Sequence, residues 1–556
     1  MRNFCYRDES KGRANRQAFQ HTDPVLKSIW SKSPHRHQRL CALFAVLALA
    51  GCGVGAGFGE NDAYDAPRDM FVSGYEKIEA VYIQDVQLGD LTVAGLTQVA
   101  SLDPTLAVSR DPDKVTLTVE GKNRATFKTP AEDDADGWGN LTADVLAAAQ
   151  AASPPLQAKP NEDIYDAFFA GALTKLDGFS RYSTAAEATE NRATREGFGG
   201  IGVRVAVEEG VVRVISVMNY TPAQRVGLKA DDIITHVDGK PVAGLQQDEV
   251  INMLRGPDDS HVNVTLVRNK GAPFTVDITR AHIVPETVTY ERRENVAYMH
   301  IYGFNLDTAD SLRKEMLHAR QDIGSGLKGY ILDLRGNPGG LLDQSVAVSD
   351  LLIDDGRIVS THGRHPDSHQ YFEATAGDIA DGLPLVVLVN GDSASAAEIV
   401  AAALQDSGRA VVVGSNSYGK GTVQTVLRMP NDGELTLTWA RFHAPSGYTL
   451  NHLGVIPSVC TTGNGNNAEL LIDELRKNAL KPIPTSIRNA VDPENTKALN
   501  ELRSLCPERR GEEAVDEQVA LQLLTHPSLY RRAVHLADLA PGAKKTDQAV
   551  LSQAKP

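Results

Sequence analysis

A serine hydroxyl is a poor nucleophile until a neighbouring base takes its proton, and a desolvated lysine can be that base. The run Gly391-Asp392-Ser393-Ala394-Ser395-Ala396-Ala397-Glu398 is followed further on by Gly419-Lys420-Gly421-Thr422-Val423-Gln424. Ser395, Lys420 and Gln424 could form one such unit. To act near neutral pH the lysine pKa must fall from roughly 10.4 toward about 7 or 8, a differential cost of about 3 to 5 kcal/mol. Only burial or a like charge supplies that. Gln424 could hold the amine in place without adding the negative charge that would raise its pKa again.

The surrounding residues say how these groups are placed. Pro384 to Asn390 is a short apolar, β-branched run that reads as a buried strand, and Ala396 to Gln405 is alanine-rich with Ile399, Val400 and Leu404 at helical spacing. Ser395 therefore falls where a strand turns into a helix. Free backbone N–H groups and the positive end of the helix dipole meet there and would stabilise charge on a substrate carbonyl oxygen. On the same residues Ser393 or Ser395 could simply cap the helix. Arg409 to Gly414 reads as another strand, and Gly419 and Gly421 let the chain bend tightly on either side of Lys420. A phosphate loop is not matched: Gly414, Gly419 and Lys420 have its spacing, but Gly421 stands after the lysine where a Ser or Thr belongs. A third block, Leu327 to Leu334, ends a buried strand. Gly336, Gly339 and Gly340 then form a turn that exposes backbone N–H groups before a helix near Leu341, or serve only as a strand-to-helix turn.

Together these blocks resemble the C-terminal processing peptidases, also called tail-specific proteases. The motifs are Ser393-Ala394-Ser395-Ala396-Ala397-Glu398-Ile399, Gly419-Lys420-Gly421-Thr422-Val423-Gln424 and Asp333-Leu334-Arg335-Gly336-Asn337-Pro338-Gly339-Gly340, and the resemblance covers roughly residues 160–460. It implies Ser395 as nucleophile, Lys420 as general base and Gln424 as the residue that orients it. It also implies an oxyanion hole built from the Ala396 amide and that of Gly339 or Gly340. The fold implied is α/β and multidomain, with a crotonase-like (ββα) peptidase core, an inserted PDZ domain, and helical N- and C-terminal regions.

Residues 198 to about 285 resemble a PDZ domain. Phe198-Gly199-Gly200-Ile201-Gly202 looks like its carboxylate-binding loop, followed by the strands and the helix Asp248 to Arg255 in the expected order. Such a domain takes a peptide as an added strand and holds its terminal carboxylate on backbone N–H groups, so free chain ends would be selected. Arg255, at the end of that helix, is expected to link peptide occupancy to the active arrangement.

At the N-terminus, Arg36 and Arg39 precede an apolar stretch of about a dozen residues, too short to span a bilayer in the usual way. Leu49-Ala50-Gly51-Cys52 resembles the lipobox of bacterial lipoproteins, which implies cleavage before Cys52, a lipid on that residue and a periplasmic body tethered to a membrane. An ordinary cleaved signal is the other reading. Cys460 and Cys506 could pair in an oxidising periplasm. The net charge is −15, and residues 1–51 are basic, so the body is still more acidic and argues against nucleic acid as partner.

The expected domains are a signal segment 1–51, a tether 52–64, a mostly helical region 65–190, a PDZ domain 191–285, a catalytic core 286–460 and a helical C-terminal region 461–556 whose end from Ala540 reads as disordered. Other mechanisms fit less well. Ala397 stands where a nucleophile elbow needs its last glycine, and Ser325-Gly326-Leu327-Lys328 lacks the Lys-Thr-Gly partner of penicillin-binding enzymes. His443 and His452 could approach the site but read as surface or packing residues. No metal-ligand spacing and no cofactor motif is present. The expected partners are proteins or peptides with free C-termini, with an adaptor protein as a possible addition; oligomeric state is open. The rival function is a non-catalytic PDZ scaffold that holds envelope proteins by their tails.

Overall fold

The computed structural model describes residues 66–462, 467–481, 483, 485–511 and 513–536. The signal-like segment, the tether with Cys52 and the chain from Ala540 lie outside the described residues. In the catalytic half, short β-branched runs form a sheet from β1 (Val288–Arg293), β2 (Val296–Ile301), β3 (Gly329–Asp333), β6 (Leu385–Val389), β7 (Val411–Gly414) and β10 (Val459–Cys460), in that order. β1 is antiparallel to β2 and the remaining pairs are parallel. Parallel strands are covered on both faces, which is why β6 is apolar at every position and wholly buried.

Alternate residues of these strands point to opposite sides. Ile331, Val386, Leu388, Val411 and Val413 face the C-terminal helices α4 (Ala468–Arg476), α6 (Ala514–Thr525) and α7 (Pro527–Val534) and share one apolar core with them. The opposite face carries α1 (Thr308–Ile323), α2 (Leu342–Asp350) and α3 (Ala396–Asp406). A second, antiparallel sheet runs in the order β5 (Gln370–Glu373), β4 (Arg357–His362), β9 (Glu434–His443), β8 (Thr422–Arg428), and the short strand Arg181–Ser183 also pairs with β9. Helix α3 packs against both β7 and β4, one strand of each sheet. Every residue of it is buried, and its alanines keep the helix thin enough to fit there.

Residues Val203–Glu208, Val211–Val217, Ile233–Val237, His261–Val267 and Phe274–Thr279 make the antiparallel sheet of the second lobe, with helix Gln247–Leu254 and a core of its own around Val205, Val214, Val250 and Val264. Phe198–Gly200 pairs with Ala281–Ile283 at its base. The region before it, expected to be mostly helical, packs its helices Ala66–Val81, Leu88–Ala100, Ala135–Ala152 and Asn161–Ala172 beside a three-stranded antiparallel sheet, Leu106–Asp111, Lys114–Val119 and Lys122–Lys128. Val115 and Leu117 on its middle strand are fully buried, and their alternation with polar residues is what a half-buried strand requires. Cys460 and Cys506 form a disulfide that ties β10 to the C-terminal region. Among the described residues no helix is long and apolar enough to cross a membrane.

Candidate active site

Ser395 is the N-cap of α3 and adopts φ 56° and ψ −115°, a conformation that costs a non-glycine residue on the order of 1–3 kcal/mol. The strain is held by neighbours. The amide of Ser395 donates to Glu398 Oε2 at 2.8 Å, while the Ser395 side chain occupies the capping-box position toward the Glu398 amide without a well-formed cap bond. Ser393 is structural: its hydroxyl accepts from the Asn390 amide at 2.9 Å and donates to the Leu334 carbonyl at 2.8 Å, pinning the turn to β3.

Glu398 is the residue around which both halves of the site are built. Its Oε1 accepts from the Ser417 hydroxyl and from the Gly419 amide at 2.7 Å, and its Oε2 accepts from the amides of Ser395 and, at 2.9 Å, Lys420. The backbone nitrogens of Ser395 and Lys420 therefore lie no farther apart than two hydrogen bonds laid end to end. Burial raises the Glu398 pKa, and its four donors oppose that rise.

The Lys420 amine is the least constrained part of this arrangement. Burial lowers its pKa, the charge of Arg181 lowers it further, and Glu398 and Asp177 oppose both effects. Its Nζ lies 5.2 Å from the centre of the Phe179 ring and, among the described residues, makes no hydrogen bond. Asp177 folds the loop that carries Phe179 by accepting from the Phe179 and Ser180 amides at 2.8 and 2.7 Å, and Ser180 Oγ accepts from the Thr438 amide of β9. Gln424 does not reach the amine. Its Nε2 donates to Thr422 Oγ1 at 2.8 Å and to Thr438 Oγ1 at 3.2 Å.

The glycine turn lies directly against Ser395. A Cβ on Gly339 would sit 2.8 Å from both Ser395 Cβ and the Ala394 carbonyl oxygen and 3.0 Å from the Ala396 nitrogen, and its φ is +100°. Only glycine fits. The Gly339 amide donates to Asn337 Oδ1 at 2.8 Å, whereas the amides of Gly340 and Ala396 have no acceptor among the described residues.

In the second lobe, the carbonyls of Ile201 and Gly202 accept from the Ala223 and Met218 amides, so the loop is fixed through its oxygens. Gly199 lies against the Gly256 carbonyl. Arg255 places its guanidinium 4.2 Å from the centre of the Phe198 ring and pairs with Glu190 at 2.6 Å on the preceding helix Ala185–Glu196. That pairing lowers the Glu190 pKa. Arg255 thus joins Phe198 to the helix that precedes the PDZ lobe.

Histidines stand apart from this site. His443 lies against His362 with ring centres 4.7 Å apart and planes tilted by 35°, and burial lowers its pKa; His452 is exposed, and its amide donates to the Gly419 carbonyl. Among the described residues no group of side chains could hold a metal ion. Sequence reasoning quoted Glu398 only as part of a motif, although Ser395-Ala396-Ala397-Glu398 has the spacing of a capping box. It missed Phe179 and Arg181 altogether, because nothing local in Gly178-Phe179-Ser180-Arg181 says that β9 will carry that loop to a lysine more than two hundred residues away.

Residues 295–460 match the profile of peptidase family S41 and residues 199–279 that of the PDZ domain. The scaffold around Ser395 is that of a serine protease with a PDZ domain. The chain is 39% identical over 292 residues to a carboxy-terminal-processing protease of Bartonella bacilliformis, covering 52% of this chain and 67% of that protein. It is 34% identical over 307 residues to a probable CtpA-like serine protease of Staphylococcus aureus, covering 54% of this chain and 61% of that protein. Among solved structures, the photosystem II D1 C-terminal processing protease matches at 24% identity over 71% of this chain and 92% of that one, with a TM-score of 0.37. The chain belongs to the carboxy-terminal-processing proteases of peptidase family S41.

Proposed function

We propose that the protein is a serine endopeptidase that captures free C-termini of envelope proteins in its PDZ lobe and cleaves peptide bonds with a Ser395–Lys420 dyad. The observation that carries this reading is the shared carboxylate oxygen of Glu398, which brings the amides of Ser395 and Lys420 together. A neutral Lys420 takes the hydroxyl proton as Ser395 Oγ attacks the scissile carbonyl carbon, and the resulting ammonium gives that proton to the leaving amine. Water, activated by the same amine, then hydrolyses the acyl-enzyme. The developing oxyanion is received by the amides of Ala396 and Gly340. Gly339, whose amide is engaged with Asn337, shapes the wall of the hole.

As the amine approaches Ser395 Oγ, Gln424 orients it by accepting from it on Oε1, its Nε2 being held by Thr422 and Thr438. In the PDZ lobe the backbone N–H groups of Phe198 to Gly202 receive the terminal carboxylate. Arg255 reports its arrival through Phe198 and Glu190. The core is of the crotonase-like type, and a lipid on Cys52 tethers the protein in the periplasm, where an adaptor could present substrates. The test is to incubate residues 53–556 with an unfolded protein ending in apolar residues, beside a Ser395→Ala control. Cleavage by the first alone supports the enzyme; binding without cleavage by either leaves the PDZ scaffold.

A further inference from the structure

The C-terminal segment Arg503–Gly511 runs across the ends of the strands that carry both catalytic loops. On the nucleophile side, the Gly391 amide donates to the Arg509 carbonyl at 2.8 Å and Asn390 Nδ2 donates to the Gly511 carbonyl at 2.9 Å. Asn390 Oδ1 in turn accepts from Gly336, at the start of the glycine turn, and from Asp392, beside Ser393. One side chain thus connects the segment to the nucleophile turn and to the oxyanion turn.

On the lysine side, Ser415 Oγ donates to the Arg509 carbonyl at 3.1 Å and accepts from the Arg509 amide at 3.0 Å. Arg503 Nη1 donates to the Leu453 carbonyl at 3.0 Å and lies 3.4 Å from that of His452 and 3.5 Å from that of Tyr418, two residues before Lys420. His452 itself holds the Gly419 carbonyl. The segment is anchored independently of these loops. Arg509 pairs with the buried Asp516 at 2.7 Å, and Cys506 is bonded to Cys460 on β10.

The geometry points to Arg503–Gly511 as a positioning strap for catalysis, which sets the distance between the Ser395 turn and the Lys420 loop and is held taut by the Cys460–Cys506 disulfide. This rests on the Ser395–Lys420 reading. The two loops lie on consecutive parallel strands and meet directly through Glu398 and through the Tyr418 amide on the Ser393 carbonyl. Their bases are also joined directly by the Ser415 amide on the Val389 carbonyl, and the strap adds a second set of ties across them through Asn390, Gly391 and Ser415. A shift of about 1 Å between reacting groups can lower a rate about a hundredfold, so a loosened strap is read in turnover before it is read in folding.

The full chain is compared as wild type, Arg503→Ala, Arg503→Lys, the Cys460→Ala/Cys506→Ala double variant and Ser395→Ala. The measurements are kcat and KM on a peptide substrate, binding of a C-terminal peptide, and thermal unfolding. In Arg503→Ala kcat is expected to fall about tenfold with KM and peptide binding within about twofold of wild type. Arg503→Lys, which can still donate to the Leu453 carbonyl, recovers part of the loss, and the double cysteine variant falls in kcat alone. Unchanged kcat in both Arg503→Ala and the folded double cysteine variant overturns the strap; should Arg503→Ala not fold, the double variant decides alone. Persistent activity in Ser395→Ala would instead refute the catalytic reading, whatever the strap variants do.

Discussion

The turn proposed as an oxyanion hole and the loop proposed to take a peptide's carboxylate are built differently. At the peptidase site the Gly340 and Ala396 amides stand beside a serine in a strained conformation, and that strain is contained by a buried carboxylate with four donors. At the PDZ loop, Phe198 and Gly199 are half-buried and Gly200, Ile201 and Gly202 buried, and one partly exposed ion pair, Arg255 with Glu190, leads from the loop's start to the helix before it. The contrast follows from what each must hold. A transient oxyanion is stabilised only if the donors are already in place when charge develops. A permanent carboxylate needs no strained residue beside it, and a loop whose link to the preceding helix is a single partly exposed ion pair can pass its occupancy on.

The comparison breaks most readily at the rigid site. Ser395→Ala and Lys420→Ala are each expected to lower kcat at least about ten-thousand-fold while peptide binding to the PDZ lobe is kept, measured by single-turnover cleavage and fluorescence anisotropy. Gly339→Ala places a methyl group against Ser395 Cβ and the Ala394 carbonyl. It should lower kcat about a hundredfold with KM little changed. Glu398→Gln replaces an acceptor of four hydrogen bonds by a group that is half donor. Each amide left unpaired costs about 1–3 kcal/mol, so denaturant unfolding should show a marked loss of stability together with loss of turnover.

Much of the rigid site was legible in the residues themselves. The strand before Ser395, the alanine-rich helix after it and the strand ending at Gly414 are local patterns of apolar spacing, and the structure places them at Leu385–Val389, Ala396–Asp406 and Val411–Gly414. That the Gly339 amide is engaged was not legible. It depends on where the Asn337 side chain turns, which is a matter of tertiary packing. The role of residues 461–536 was also hidden. Their helices carry charge on one face, and the apolar stripe of Leu471, Ile472 and Leu475 shows its purpose only once the parallel sheet exists to cover. The strands Leu106–Asp111 and Lys114–Val119 were within reach, because Val115 and Leu117 alternate with polar residues between turn-forming residues, but helical segments on either side dominated the reading.

Smaller effects sharpen the comparison. Cleavage should rise with pH as Lys420 loses its proton, because only the neutral amine can accept from Ser395. Arg181 helps to hold that pKa down, so Arg181→Ala should move the rising limb of the kcat profile to higher pH. At the PDZ loop, Arg255→Ala should change stability by less than about 1 kcal/mol, since Glu190 is largely exposed, yet abolish stimulation of cleavage by a C-terminal peptide. Unchanged stimulation in that variant would remove the coupling assigned to Arg255. The Arg255 tie should itself weaken in acid as pH falls through the depressed pKa of Glu190, which a fluorescence reporter on the lobe can follow.

The central claim is that position 420 supplies a neutral amine to the serine, and the titration of that amine tests it most directly. In the full chain labelled with 15N-lysine, with Lys420→Arg to assign the signal, the side-chain resonance of Lys420 should titrate clearly below the ordinary lysine range of about 10.4. A Lys420 that keeps its proton to that value or beyond would contradict the account.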